Sequence, residues 1–333
     1  MRRGAGAEGP GAVTHPAVSV VIPNYNGAAF IGRTLAAVGA AVRGYPGRSE
    51  VVVVDDASTD DSVATIAQQH PGVVLVRHPE NRGFAEAVHS GVERAAHEIL
   101  IILNSDTEPA PDFVAPLVAP LADETVFATS PLVFDGAGNP LFNSWPRYRC
   151  VARGKLVSCR WTLDDVRARQ ASGRPLNGLY ASGGSIAVRR DRFRQLGGFL
   201  PIYRPYYSED RDLGTRAWMR GWATRCVPES RIVHPGGGTI KRLFRARRVR
   251  ATRIRNQLIY LALYTPLAEL LTRHLPWILG RALTRLLRLD STMLVGLAQA
   301  VSRAREIAAT RALIRASQPF KSLTDVLKDV AAC

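Results

Sequence analysis

Val18-Ser19-Val20-Val21-Ile22 running into Pro23-Asn24-Tyr25-Asn26-Gly27, and Val51-Val52-Val53-Val54 running into Asp55-Asp56-Ala57-Ser58-Thr59-Asp60, decide the fold. Each is a short run of branched apolar residues with little polar alternation, the pattern of a parallel strand covered on both faces. Residues 73–76 and 99–103 repeat it. Between these runs, residues 28–40, 62–69 and 84–95 carry helical periodicity. Strand and helix alternating in this way predict an α/β fold with a doubly wound, mainly parallel sheet. In such sheets ligands bind beyond the carboxyl ends of the strands, so the polar residues after each run are the first candidates for chemistry.

Working outward, residues 185–188 predict another strand, 190–196 a helix, and 210–220 a second helix ending at Gly221. Prolines at 109, 111, 116 and 120 loosen the pattern after Leu103, and residues 143–177 read as an irregular, partly polar excursion. Beyond Gly236-Gly237-Gly238 long helical patterns take over, broken at Pro266 and Pro276. The expected organisation is a disordered N-terminus over 1–16, a catalytic domain over 17–240, and a helical basic extension over 241–333.

Nearly half of the 333 residues are apolar (46%), which excludes global disorder. The formal charge of +16 asks for an anionic partner. Most carboxylates precede Asp212, whereas 241–315 is dense in arginine, so two tasks are divided along the chain. Cys150, Cys159, Cys226 and Cys333 have neither metal-ligand spacing nor a disulfide framework, and reduced thiols in a cytosolic setting are expected. No secretory signal is visible, and no apolar stretch approaches the roughly 20 residues that span a bilayer.

Three polar clusters follow strands on one expected edge: Pro23-Asn24-Tyr25-Asn26, Asp55-Asp56 and Asn104-Ser105-Asp106. Caps for the following helices would explain any one of them. Three together would build an acidic crevice for a base, a ribose and a hard cation.

The strings SVVIPNYNG (19–27), VVVVDDASTDDS (51–62), NRGFAEAVHSGVERA (81–95) and ILIILNSDTEP (99–109) resemble the opening of family 2 glycosyltransferases. SGGSIAVRRDRF (182–193), LGGF (196–199), YYSEDRDLGTRAWMRGW (206–222) and VHPGGG (233–238) resemble the family's second half, nearest to bacterial rhamnosyltransferase-like cell-surface sugar transferases. The resemblance implies a GT-A domain and inverting transfer from a nucleoside diphosphate sugar. By position it implies that Asp55 or Asp56 reads the base and that Asp106 holds Mg²⁺ or Mn²⁺ on the diphosphate. Asn104 departs from the family's first acid, and a ribose contact is its alternative. His234 matches a histidine that completes the metal shell in some relatives. Asp210 of the Glu209-Asp210 pair matches the general base. Gly183 and Gly184 match donor or acceptor contacts, and Asn81 and Gly83 match a motif beside the nucleotide. For Glu209, Asp210 and Asp212 the competing reading is a helix N-terminus favoured by its dipole.

Residues 241–255 carry eight basic side chains, usually a solvated face. In the helix from Pro276, Arg281, Arg285 and Arg288 fall on one stripe beside Trp277, Ile278, Leu283, Leu286 and Leu287. Such a helix fits either the interface of an anionic membrane or a packed position on the catalytic domain or a second subunit.

The expected activity is therefore transfer of a sugar from a UDP- or dTDP-sugar to a saccharide or lipid-linked saccharide hydroxyl in cell-envelope synthesis. The expected location is cytoplasmic, with peripheral contact at the inner face of the cell membrane. A nucleotidyltransferase would need a basic, Gly-rich loop where Pro23-Asn24-Tyr25-Asn26 stands. The alternative from another class is a catalytically silent nucleotide-binding scaffold or a basic nucleic-acid-binding protein; no nucleic-acid motif accompanies the charge.

Overall fold

The computed structural model of the chain describes residues 15–159, 161–235, 245–317 and 321–332. The apolar runs become β1 (Val18–Asn24), β2 (Ser49–Asp55), β3 (Val74–Arg77) and β4 (Ile99–Leu103). They lie parallel in the order β3-β2-β1-β4, connected by α1 (Ile31–Arg43), α2 (Ser62–Gln69) and α3 (Phe84–Arg94). Both faces are covered. Val20, Ile22 and Ile101 pack with Leu35 and Val38 of α1, while Val21, Leu100 and Ile102 pack with Val88 and Val92 of α3. That two-sided burial is why the runs lack alternation. α1 begins three residues later than its periodicity suggests, after a turn in which the Gly27 carbonyl accepts the N–H groups of Phe30 and Ile31.

The second half of the sheet contains β5 (Glu108–Pro109), β6 (Val126–Phe134), β9 (Asn177–Gly178), β10 (Ser185–Arg189) and β11 (Ala223–Val233). β10 runs antiparallel to β4 on one side and to β6 on the other. β11 is parallel to β6 and antiparallel to β5 and β9. β6 therefore points the same way as β1 to β4, as does β11, and the sheet is mixed but mainly parallel. Because β10 is reversed, its first residue lies at the edge where β4 ends, Ser185 opposite Leu103. After β10 come α6 (Arg190–Gln195) and α7 (Glu209–Met219), the latter ending as expected before Gly221, whose φ is +81°.

The stretch 143–177 is not irregular. It holds a hairpin, β7 (Tyr148–Ala152) with β8 (Lys155–Ser158), and α5 (Leu163–Ala171), capped by Thr162 and Asp165. Arg153 and Gly154 make the two-residue turn with φ of +50° and +69°, the geometry that matches the twist of antiparallel strands.

The glycines 236–238, the boundary near 240 and residues 241–244 lie outside the described residues, as do 1–14. From 245 onward the chain forms α8 (Ala246–Tyr264), α9 (Leu275–Leu287), α10 (Thr292–Val301), α11 (Ala304–Ala316) and α12 (Leu323–Ala332). Pro266 precedes a short helical turn. Pro276 sits in the first turn of α9, where its missing N–H costs little. These helices share one core with the rest: Ile259, Tyr260 and Leu263 of α8 and Val326 and Leu327 of α12 pack with Leu179, Tyr203, Trp218 and Met219.

Two arginines of the α9 stripe are held by the protein itself. Arg281 donates to the carbonyls of Arg153 (2.7 Å) and Gly154 at the hairpin turn, and Arg285 faces Asp290. Main-chain carbonyls draw Arg281 inward, and the Asp290 and Thr292 side chains hold Arg285. Exposed instead are Leu279, Leu283, Leu286 and Leu287, with Trp277 and Arg288. Among the described residues, no helix is long and apolar enough to cross a membrane.

Candidate active site

The ends of β1 and β2 are knitted together by side chains. Buried Asn24 donates to the Asp55 carboxylate at 2.9 Å, and Asp55 accepts from the Ser58 N–H (2.9 Å) and hydroxyl (2.6 Å). Asn26 accepts from the Thr59 N–H at 2.8 Å, and its own N–H donates to the Ser58 hydroxyl. Pro23 is buried and Tyr25 half-buried in the same loop. Asp56 is the hub of the next layer. One oxygen meets His78 Nδ1 at 2.6 Å and the Arg82 N–H at 2.9 Å; the other accepts the Gly83 N–H at 2.7 Å. Asn81 donates weakly to the Asp56 carbonyl, 3.4 Å, and caps no helix; the residue preceding α3 is Gly83. Asp55 and Asp56 are thus both buried and both hold protein donors, which fixes the loops around them.

At the end of β4, the Thr34 hydroxyl holds the Ser105 carbonyl at 2.9 Å. The short antiparallel pair of β5 with β11, Val233 opposite Glu108, brings His234 to Asp106, Nε2 to Oδ1 3.4 Å. Among the described residues no group of three or more His, Cys, Asp or Glu side chains converges as a metal cage. A carboxylate and an imidazole fit a divalent cation that takes its other ligands from phosphate oxygens and water.

β10 carries the two glycines to the same rim. The Gly184 carbonyl accepts the Asn104 N–H at 2.9 Å, and a Cβ on Gly184 would fall onto the Asn104 amide. The Gly183 N–H donates to Asp210 Oδ2 at 3.3 Å, and a Cβ on Gly183 would stand 3.4 Å from the Asp210 Cβ. Phe84 and Phe199 flank this contact. The polar ends of β1, β2 and β4 and, through Gly183, Asp210 therefore lie on one edge of the sheet.

Asp210 lies in the first turn of α7, whose entry residues Tyr207 and Ser208 hold φ of +74° and +84°. Non-glycine residues stay in this region only where surroundings impose it. Burial pushes the Glu209 carboxyl up to about 8, with the neighbouring Asp210 charge adding to it. The Glu209 side chain is half-buried as a whole, yet its Oε2 is sealed from solvent. Burial also raises Asp210, against the opposing Arg211 N–H and charge. At neutral pH Glu209 therefore holds its proton.

Tyr180 and Arg211 were not singled out by sequence reading, and Asp212 was read only as part of a charge run. The Tyr180 hydroxyl is pushed well up by burial and then by Asp210, and sits with Tyr148 of the hairpin. Arg211 donates to the Ser208 hydroxyl at 2.6 Å. Asp212, read with Glu209 and Asp210 as one charge run, is fully buried and accepts from Tyr203 (3.0 Å), Tyr264 (2.6 Å) and Arg216 (2.7 Å). The available signal for Tyr180 was its place two residues before the string SGGSIAVRRDRF; the helical spacing of Asp212 and Arg216 was that for the ion pair.

The model of glycosyl transferase family 2 matches residues 19–197, more than half of the chain. The chain belongs to glycosyl transferase family 2. The model of glycosyl transferase family 21 matches residues 162–332, through α7 and the C-terminal helices. A human probable polypeptide N-acetylgalactosaminyltransferase 8 is 25% identical over 245 residues, 66% of this chain and 36% of that protein. An N-acetylglucosaminyl-diphospho-decaprenol L-rhamnosyltransferase of Mycobacterium tuberculosis is 28% identical over 205 residues, 55% of this chain and 66% of that one. The chain spans about a third of the length of the animal relatives it matches. A Pyrobaculum calidifontis mannosyltransferase, solved with GDP-Man and Mn²⁺, has TM-score 0.54 and 24% identity, covering 96% of this chain and 86% of that chain. GalNAc-T7, solved with UDP, GalNAc and Mn²⁺, has TM-score 0.56 and 23% identity, covering 76% and 49%. The fold of this family 2 chain is GT-A-like, with its helical C-terminal region appended.

Proposed function

We propose that the chain transfers a sugar, with inversion, from a UDP- or dTDP-sugar to a saccharide hydroxyl, and that the acceptor is a lipid-linked precursor of the cell envelope. The reading divides the chain into a transferase unit, 17–240, and a helical extension, 241–333. The observation that carries it is the pair of consecutive glycines, one against Asn104 beside the diphosphate edge and the other against Asp210. Donor and acceptor chemistry are thereby held one residue apart along the main chain.

Asp210 accepts the proton of the acceptor hydroxyl as that oxygen bonds to the anomeric carbon, and the bond from that carbon to the diphosphate breaks on the opposite face. Glu209, protonated at neutral pH, leaves Asp210 as the charged base. Asp106 and His234 are the residues that would hold Mg²⁺ or Mn²⁺. When bound, the ion offsets charge on the departing diphosphate. Asp55 or Asp56 reads the base: Asp55 ties Asn24 to Ser58, and Asp56 orders the next loop through His78, Arg82 and Gly83. Pro23, Tyr25, Asn26 and Asn81 complete the nucleotide wall. The Mn²⁺ of both structural neighbours supports the metal, the UDP of GalNAc-T7 supports the donor, and the diphospho-lipid acceptor in the mycobacterial relative's name supports the acceptor.

Thermal melting against a panel of UDP-, dTDP- and GDP-sugars, with and without Mn²⁺, tests the donor. A UDP- or dTDP-sugar at a hundred times its Kd should add about 2.7 kcal/mol of stability, and only when metal is present. No stabilisation anywhere in the panel, with a salt-sensitive shift on DNA, would favour the nucleic-acid alternative.

We further propose that the leucine face of α9 rests on an anionic bilayer. Leu283 and Leu287 are 58% and 77% exposed, Trp277 is half exposed, and exposed Arg273 and Arg288 supply the complementary charge. The chain should float with vesicles containing phosphatidylglycerol and not with pure phosphatidylcholine. Leu283→Glu with Leu287→Glu should abolish flotation; retention by the double variant would refute the contact.

A further inference from the structure

The loop that leads into Asp210 is held from outside the sheet. Between Ile202 and Tyr207, five main-chain carbonyls accept hydrogen bonds from the C-terminal helical region. Asn256 of α8, 0% exposed, turns its single amide nitrogen toward three of them: Tyr203 (2.6 Å), Tyr206 (2.9 Å) and Tyr207 (2.7 Å). Arg255 donates from Nε to the Asn256 amide oxygen at 2.9 Å, which fixes the orientation of the amide, and from Nη2 to the Arg204 carbonyl. Arg303 holds the Ile202 carbonyl at 2.7 Å. Directly downstream stand the left-handed Tyr207 and Ser208, and then Glu209 and Asp210. The Arg253 guanidinium also stacks over the Tyr207 ring, 4.3 Å to its centroid. A main-chain path that leaves the favoured region twice in succession relaxes unless something imposes it. Here the imposing groups belong to α8.

We infer that Asn256, oriented by Arg255, is a positioning residue for the transfer step: the C-terminal helix sets the aim of the Asp210 carboxylate. The inference rests on Asp210 being the base. It assigns to α8 a part in turnover, in addition to its part in the core. A carboxylate displaced by about 1 Å costs on the order of 100-fold in rate while ground-state donor contacts elsewhere persist. Asn256 touches none of the nucleotide-side residues, so donor affinity should not follow.

The test uses Asn256→Asp and Arg255→Lys in the full chain. Asn256→Asp keeps the volume but turns an acceptor toward three carbonyls; Arg255→Lys keeps the charge and loses the Nε donor. Turnover, donor Kd by titration and the pH profile of kcat/KM are measured on the folded fraction. Asn256→Asp should lower kcat by about 10- to 100-fold, with donor Kd within about twofold and the acidic limb of the profile displaced. Arg255→Lys should do the same by about threefold to tenfold. If Asn256→Asp does not fold, Arg255→Lys decides alone by the same criteria. Unchanged kcat and pH profile in the folded fraction, whatever the melting temperature does, overturns the proposal, as does a donor Kd that weakens in step with kcat. Asp210→Asn run alongside separates the two ideas. If it retains turnover, the base assignment fails. If it is inactive while both helix variants turn over normally, the positioning role alone fails.

Discussion

Asp210→Asn is expected to bind donor as the unsubstituted chain does and to lose about 10²- to 10⁴-fold in turnover, the range that a positioned general base contributes. The amide fills the same space and can still accept from the Gly183 N–H, now 3.3 Å from Oδ2, so the rim should keep its shape. What disappears is a group able to take the acceptor proton. Donor titration and single-turnover kinetics on one preparation check this, and parallel loss of binding and turnover would move Asp210 to a structural or nucleotide-contact role. The pH dependence of the parent chain belongs to the same prediction. Burial raises Asp210, so the acidic limb of kcat/KM should lie above the ordinary aspartate value of 3.8. Glu209 is held protonated up to about 8 from an ordinary 4.5. Across that window the folded chain keeps a proton that the unfolded chain has released, so this pair makes stability fall as pH rises from about 4.5 to 8. Glu209→Gln should flatten that part of the stability curve.

Asp212→Ala is expected to cost about 3–5 kcal/mol of stability, the range for removing one partner of a buried ion pair. The carboxylate is fully buried and serves three donors from three elements: Tyr203 from the loop before α7, Arg216 from α7 itself, and Tyr264 from α8. Its removal leaves the Arg216 guanidinium buried, with the Leu196 and Gly198 carbonyls as remaining acceptors. Tyr264→Phe, which removes one donor and leaves the charges paired, should cost only about 1 kcal/mol. Urea unfolding of both variants gives the comparison, and equal small costs would mean that the cluster contributes little.

The parallel half of the fold was legible because β1, β2 and β4 are buried on both faces, which leaves an unbroken apolar signature in the chain. β6 and β11 were not legible. β6 carries Pro131 in its middle, and β11 carries Pro228 and three charged side chains around an irregularity between Val227 and Arg231. A proline inside a run argues against a strand, and here the bulge absorbs it. The β7–β8 hairpin escaped because its two-residue turn is Arg-Gly; the asparagine or aspartate that usually announces such turns is absent. In the site, the polar ends of β1, β2 and β4 could be read because position after a strand carries meaning. The different fates of Asp210 and Asp212 could not. They are two residues apart in one charge run, and only packing separates the carboxylate at the rim from the one in the core. Asn256 was also silent. An amide in a helix rich in arginines and leucines acquires meaning only when three carbonyls face it.

The reversed direction of β10 has a consequence for how this scaffold can diversify. A strand entering with its neighbours would deliver its first residue to the far side of the sheet and need a crossover to return. β10 instead begins at the rim, so the segment between β6 and Ser182 leaves and rejoins the same edge. Its length and sequence can therefore change without shifting the register of any nucleotide-side strand, since β10 meets β4 only from Ser185 onward. Change in the parts of that segment outside its buried Trp145, Trp161 and Leu176 would alter the rim beside Gly183 while β1 to β4 keep their register.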